Sequence, residues 1–128
     1  MNNLSEHIKT IDLIYLATPY SKYPAGIEMA FRDAAKLAGR LLMAGVKVYS
    51  PIAHGHPLSV HGGVNPLDHE TWLAFDAAMM AKADALLVAK LDTWEKSFGI
   101  AHEISVFKNA RKPFYYLTPD SLAVSDAP

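Results

Sequence analysis

The chain has 128 residues, 51% of them hydrophobic and 20% charged, the size and make-up of one compact domain that buries roughly two-thirds of its unfolded surface. A formal charge of -1 and a pI near 6.6 give no field suited to a nucleic-acid backbone or an anionic membrane, so neither is an expected partner. Zero cysteines exclude a disulfide framework, thiolate catalysis and cysteine-ligated zinc, and fit a reducing, cytoplasmic setting.

The N-terminal MNNLSEHIKTIDLIYLATPYS holds only a short apolar run, with charges before it and no small-residue cleavage pattern after it. It reads as a strand rather than a signal peptide, with residues 1–12 as a flexible end. Leu13 to Thr18 is a continuous, partly β-branched run stopped by Pro19, as expected for a central strand covered on both faces. From Gly26 to Ala44 a helix is expected: Ile27, Ala30, Phe31, Ala34, Leu37, Ala38 and Leu41 form one stripe, and Gly45 supplies the stop. Val46 to Ser50 reads as a second strand closed by Pro51. Ile52 to Pro66 is rich in Gly, Pro and His without a usable period, a loop long enough to serve as a lid. Asp68 to Ala83 is a second helix, Ala85 to Leu91 a third strand, Ser97 to Ala110 a third helix and Pro113 to Leu117 a fourth strand. The small, polar segment from Thr118 to Pro128 is expected to fray. No segment approaches 18 uninterrupted apolar residues.

Strand–helix alternation predicts one α/β domain over residues 1–128, a three-layer α/β/α sandwich with a parallel sheet of four to five strands and right-handed crossovers. Ligands of such sheets lie beyond the carboxyl ends of the strands. The expected rim is therefore Thr18 to Tyr23, the histidine-containing loop, and Asp92 to Gly99.

Two acids fall on apolar stripes. Ile100, Glu103, Ile104 and Phe107 stand at i, i+3, i+4 and i+7, so Glu103 points inward with its apolar neighbours. Trp72, Phe75, Asp76, Met79 and Ala83 place Asp76 in the same way on the helix before it. An unpaired buried carboxylate costs several kcal/mol or titrates high, so each acid has either a salt-bridge or amide partner or a chemical task. Ser97 is placed to cap its helix, and with Gly99 after it the free amides there suit an anion such as a phosphate. A plain cap would need no ligand.

LIYLATPYS at 13–21, Asp76 followed by AAMMAKADALLV, and SFGIAHEISVFKNARKP at 97–113 together resemble the nucleoside 2-deoxyribosyltransferase superfamily. That group includes the deoxynucleoside 5'-monophosphate N-glycosidases and small bacterial and phage domains. The resemblance spans roughly residues 13–117 and implies a flavodoxin-like fold. It implies that Glu103 is the nucleophile, that Asp76 contacts base or sugar, and that Tyr15 lies beside the nucleophile. Ser97 stands where the deoxyribosyltransferases usually carry an aspartate that holds the sugar, and where the monophosphate hydrolases carry serine for the 5'-phosphate. The implied partner is a nucleoside or nucleotide, the implied assembly a homodimer or larger homo-oligomer, and no cofactor is called for.

The chemistry expected is that of a retaining glycosidase: Glu103 attacks C1', and water or a second base resolves the glycosyl ester. Asp76 supports the departing base, with Asp92 in reserve. Tyr15 either steers the Glu103 carboxylate or packs in the core. Thr18, Tyr20, Ser21, Ser97 and Gly99 are rim candidates for the substrate, and His54 and His56 for phosphate or base. Tyr20, Tyr23, Trp72 and Trp94 are equally open to stacking on a base or to packing. A metal is not expected: His54, His56 and His61 have no carboxylate at ligand spacing, and Val106 breaks the HExxH pattern begun at His102-Glu103. Two other readings stand beside this one, an NAD-cleaving glycosidase and a nucleotide-binding module without turnover.

Overall fold

The computed structural model of the chain describes residues 4–128. In chain order the elements are α1 (Glu6–Thr10), β1 (Ile14–Ala17), α2 (Ile27–Met43), β2 (Val48–Tyr49), α3 (Pro51–Val60), α4 (His69–Lys82), β3 (Ala85–Ala89), a 3-10 turn at Trp94–Lys96, α5 (Phe98–Asn109), β4 (Phe114–Thr118) and β5 (Ala123–Ser125). The sheet runs β2-β1-β3-β4-β5, parallel except for β5. This is a flavodoxin-like order, and its direction reverses between β1 and β3.

Alternation along the strands builds two apolar layers. Ile14 and Leu16 of β1 join Leu87 of β3 with Ile8 of α1 and Leu37 and Leu41 of α2. Tyr15 and Ala17 join Leu86 and Val88 with Met80 of α4 and Ile100 and Phe107 of α5. Both faces of β1 and β3 are thus covered, which is why these strands read as unbroken apolar runs. Helix α2 stops at a left-handed Gly45: its N–H bonds Leu42 O and the N–H of Val46 bonds Leu41 O, the paired closure that needs glycine.

Four expectations are corrected. The central strand is β3, with β1 one place to its side. Residues 51–60 are helical rather than a loop: the Ser50 hydroxyl accepts from Ala53 N–H, Pro51 occupies the first turn, and the helix runs past Pro57. Glycine, proline and histidine hide its period, and only the Ser-Pro start marks it. The C-terminal segment does not fray, because β5 pairs antiparallel with β4 and Leu122 is buried in the α2-side layer. Of the N-terminal end, residues 1–3 lie outside the described residues, and the rest forms α1, pinned by the buried Ile8. Among the described residues no helix is long and apolar enough to cross a membrane.

Candidate active site

Glu103 lies in the second turn of α5 on the stripe that carries Ile100 and Phe107, and only 9% of it is exposed. It joins no salt bridge among the described residues. Burial pushes its carboxyl up to about 8; the Tyr15 phenol beside it pulls the other way, and the charge of Asp76 pushes further up. Asp76, half-buried on α4, is raised to about 6 by burial, against the opposing charges of His54 and His102. The two acids therefore sit within each other's electrostatic reach, on adjacent helices over one face of the sheet.

Tyr15 forms the floor. It is fully buried on β1, with its ring 6.1 Å from that of Phe107 and 5.7 Å from that of Tyr49. Burial drives its phenol far above the ordinary tyrosine range, and the charges of Glu103 and Asp76 add to the rise. The hydroxyl lies close enough to Glu103 for each to shift the other, yet no acceptor meets it in good hydrogen-bond geometry.

The rim is assembled from the loops after β1 and β3, which meet at the point where strand order reverses. Thr93 Oγ1 reaches Lys22 O at 3.5 Å, and Lys22 Nζ stands 4.4 Å over the ring of Phe98. Ser97 is the N-cap of α5, its hydroxyl oxygen accepting from Ile100 N–H at 3.2 Å. The same hydroxyl keeps its own proton to donate. At Gly99 an added methyl group would touch only Ser97 Oγ, at 3.7 Å, so the protein's own packing does not require glycine there.

Other sequence candidates are drawn into structural roles or stand apart. His56 is buried on α3: Tyr20 OH lies 2.7 Å from its Nδ1, Glu28 Oε2 lies 2.8 Å from its Nε2, and Phe31 stacks on its ring at 4.7 Å. It thereby fastens Tyr20, and so the loop after β1, to α2 and α3. Tyr23 donates to Asp33 at 2.5 Å, Trp72 Nε1 donates to Asn65 O at 3.0 Å, and Trp94 packs on Tyr116. At Gly55 an added methyl group would stand 3.2 Å from the Trp72 ring, a tight contact that the ring would have to shift to relieve. Ser21 and Asp92 are exposed, and the charge of Asp92 acts on Tyr23. The Thr18 hydroxyl is buried without a partner, but strand alternation puts it on the opposite face from Tyr15. Beside His56 a cavity of about 80 Å³, lined by Glu28, Phe31, His56, Pro57, Val60 and His61, has room for waters but not for a nucleoside.

His54 turns the other way from His56. Its ring stacks on Phe75 at 5.3 Å and lies 6.0 Å from Tyr49, on the Asp76 side of α3. Tyr49, His102 and Phe75 complete the surroundings of the two acids and were not distinguishable from core or surface residues by periodicity. Phe75 and His102 each directly precede an inward acid in sequence, and Tyr49 is the register partner of Tyr15, signals that are weak in sequence and plain in space. Among the described residues no three His, Cys, Asp or Glu side chains converge as metal ligands.

The arrangement can do acid–base and nucleophilic chemistry at carbon. One buried carboxylate carries a phenol at its side, a second carboxylate titrates at a lower pH, and two imidazoles stand next to that second acid. Residues 12–118 match the family model described as Domain of unknown function (DUF1937). No curated protein matches the chain.

Proposed function

The chain belongs to the family described as Domain of unknown function (DUF1937), and from that footing we propose that it cleaves or exchanges the N-glycosidic bond of a nucleoside or nucleoside 5'-monophosphate. The observation that carries this reading is the Glu103 carboxylate, buried on an apolar stripe, without a salt bridge among the described residues, and within reach of the Tyr15 phenol and the Asp76 charge. A purely structural glutamate in that position would be expected to have a cation or a set of amides. The resemblance of the three sequence blocks to the nucleoside 2-deoxyribosyltransferase superfamily supports the same assignment.

In the proposed reaction a Glu103 oxygen bonds to C1' as the bond from C1' to the base nitrogen breaks, through an oxocarbenium-like transition state. The bonding pair leaves with the base, and Asp76 gives that nitrogen its proton. In hydrolysis, water then attacks C1', Asp76 takes the water's proton, and Glu103 departs as carboxylate. In transfer, a second base takes the place of water. Tyr15 donates to the carboxylate that attacks and holds it in one rotamer. The Phe75–His54 stack offers an aromatic wall for the base.

A 5'-phosphate suits the rim better than a free 5'-hydroxyl does. The first-turn amides of α5, the Ser97 proton and the Lys22 ammonium gather at one end of the helix that carries Glu103. A homo-oligomer is part of the proposal: Leu67, Leu73 and Phe75 are 74%, 51% and 40% exposed on and beside α4, and light scattering of the purified chain tests it.

Chromatography of a panel of nucleosides, their monophosphates and NAD incubated with the protein tests the activity. Free base should appear with the wild type and disappear with Glu103→Gln. Release of nicotinamide alone would reassign the substrate, and monophosphate binding with no release from any substrate would leave a binding module.

A further inference from the structure

Tyr15 and Tyr49 are register partners on adjacent parallel strands, so their side chains leave the same face of the sheet, with ring centroids 5.7 Å apart. Both hydroxyl oxygens are buried; among the described residues Tyr49 OH has no hydrogen-bond partner, and Tyr15 OH, beside Glu103, makes no bond of good geometry. A buried hydroxyl left unpaired costs about 1–3 kcal/mol. Two buried phenols side by side, both within electrostatic reach of the same two carboxylates, are a pattern that core packing does not produce on its own. Phenylalanine would fill the same space at lower cost.

The tyrosines divide the neighbourhood between them. Glu103 acts on Tyr15 more strongly than Asp76 does, whereas Asp76 acts on Tyr49 more strongly than Glu103 does. Tyr49 also faces the His54 ring, which stands on the Asp76 side. Its ring therefore stands beside Tyr15 and His54, within electrostatic reach of both acids. If Glu103 meets the anomeric carbon and Asp76 the leaving nitrogen, the neighbouring ligand atoms are the ring oxygen and the C2' substituent. A phenol that can give and accept a hydrogen bond, beside carboxylates that accept, fits an alcohol best.

Resting on the N-glycosidic reading, we propose that Tyr49 is a sugar-positioning residue whose hydroxyl pairs with a 2'-hydroxyl, so that the site takes ribosyl substrates in preference to 2'-deoxyribosyl ones. A site built to hydrogen-bond a substrate hydroxyl rejects the analogue that lacks it far more strongly than a greasy pocket rejects a missing methylene. Contacts to the 2-hydroxyl of a sugar also strengthen as the oxocarbenium character develops, so the preference appears in kcat as well as in KM.

The test pairs ribosyl and 2'-deoxyribosyl 5'-monophosphates of the same base with wild type and Tyr49→Phe. It reads kcat/KM for base release and, by calorimetry, Kd for the same compounds. The expected result is a wild-type preference for the ribosyl member, falling by about tenfold or more in Tyr49→Phe, with no loss of thermal stability since only an unpaired hydroxyl is removed. A ribosyl-to-deoxyribosyl ratio unchanged by the substitution, or a wild type that favours the deoxyribosyl member, overturns the Tyr49 assignment while leaving the N-glycosidic reading intact. If no base is released from either member, the N-glycosidic reading fails instead, and the ratio of the two Kd values in wild type and variant decides the Tyr49 contact by the same criterion.

Discussion

Asp76 on α4 acts on Glu103 on α5 as a like charge, adding to burial in lifting the Glu103 carboxyl to about 8 while Asp76 itself titrates near 6. The two are one titrating system, whose protons come off in two steps that belong to the pair. Attack needs a carboxylate at Glu103, and departure of the base needs a proton at Asp76.

The pH dependence of kcat/KM follows. The working form carries one proton between the two acids, in the minority arrangement that places it on Asp76 and leaves Glu103 ionised, so the profile is expected to be a bell with limbs near 6 and 8 whose height is set by that minority fraction. Asp76→Asn removes the like charge, so the Glu103 limb moves to lower pH, and the rate falls by about 10²–10⁴-fold through loss of the acid. Steady-state rates of base release across pH 4 to 10 check both statements. A limb that stays in place after the substitution would show that Asp76 does not act on Glu103.

Stability carries the same signature independently of turnover. The folded-state pKa of Glu103 lies above its ordinary 4.5, so the folded protein holds that proton longer than the unfolded chain does. The stabilisation is fully present below about pH 4.5 and declines as pH rises, until the folded carboxyl has titrated near 8. Glu103→Gln cannot titrate. Its denaturation midpoint is expected to exceed that of the wild type at pH 8 to 9 by on the order of a few kcal/mol in free energy, with the gap closing toward pH 5. Urea titrations of both proteins at the two pH values test this.

Most of this architecture was legible as pattern. The apolar runs of β1 and β3 and the stripe of α2 are long and periodic enough that burial alone fixes them, and Glu103 stood out because its stripe was otherwise apolar. Helix α3 was not legible because Gly55 and Pro57 erase its period, while its reasons for being helical are tertiary: Gly55 lets the Trp72 ring approach and His56 ties it to Glu28 and Tyr20. Tyr49 was invisible for a different reason. Its strand is two residues long, and only the register with Tyr15 reveals what it faces.

Ser97 separates capping from phosphate recognition. Ser97→Ala loses the bond from Ile100 N–H and is expected to cost about 1 kcal/mol of stability. Ser97→Asp keeps the cap and so the stability, but sets a negative charge where the phosphate is proposed to lie. Its KM should rise for a monophosphate and not for the matching nucleoside, and Lys22→Ala should shift the same ratio in the same direction. Equal effects on both substrates would remove the phosphate from this rim.

His56 is expected to hold the loop after β1 in place. His56→Ala strands the Tyr20 hydroxyl and removes the ring stacked on Phe31, for a loss of about 2–4 kcal/mol in equilibrium unfolding. Glu28→Gln, altering an exposed partner, should cost well under half as much.

The most direct measurement is the mass of the peptide that carries Glu103 after acid quench of a reacting mixture. The account predicts a glycosyl ester on Glu103, formed with wild type and absent from Glu103→Gln, that decays as free sugar phosphate accumulates. Base release at full rate by Glu103→Gln, or a sugar adduct on another residue, would contradict it.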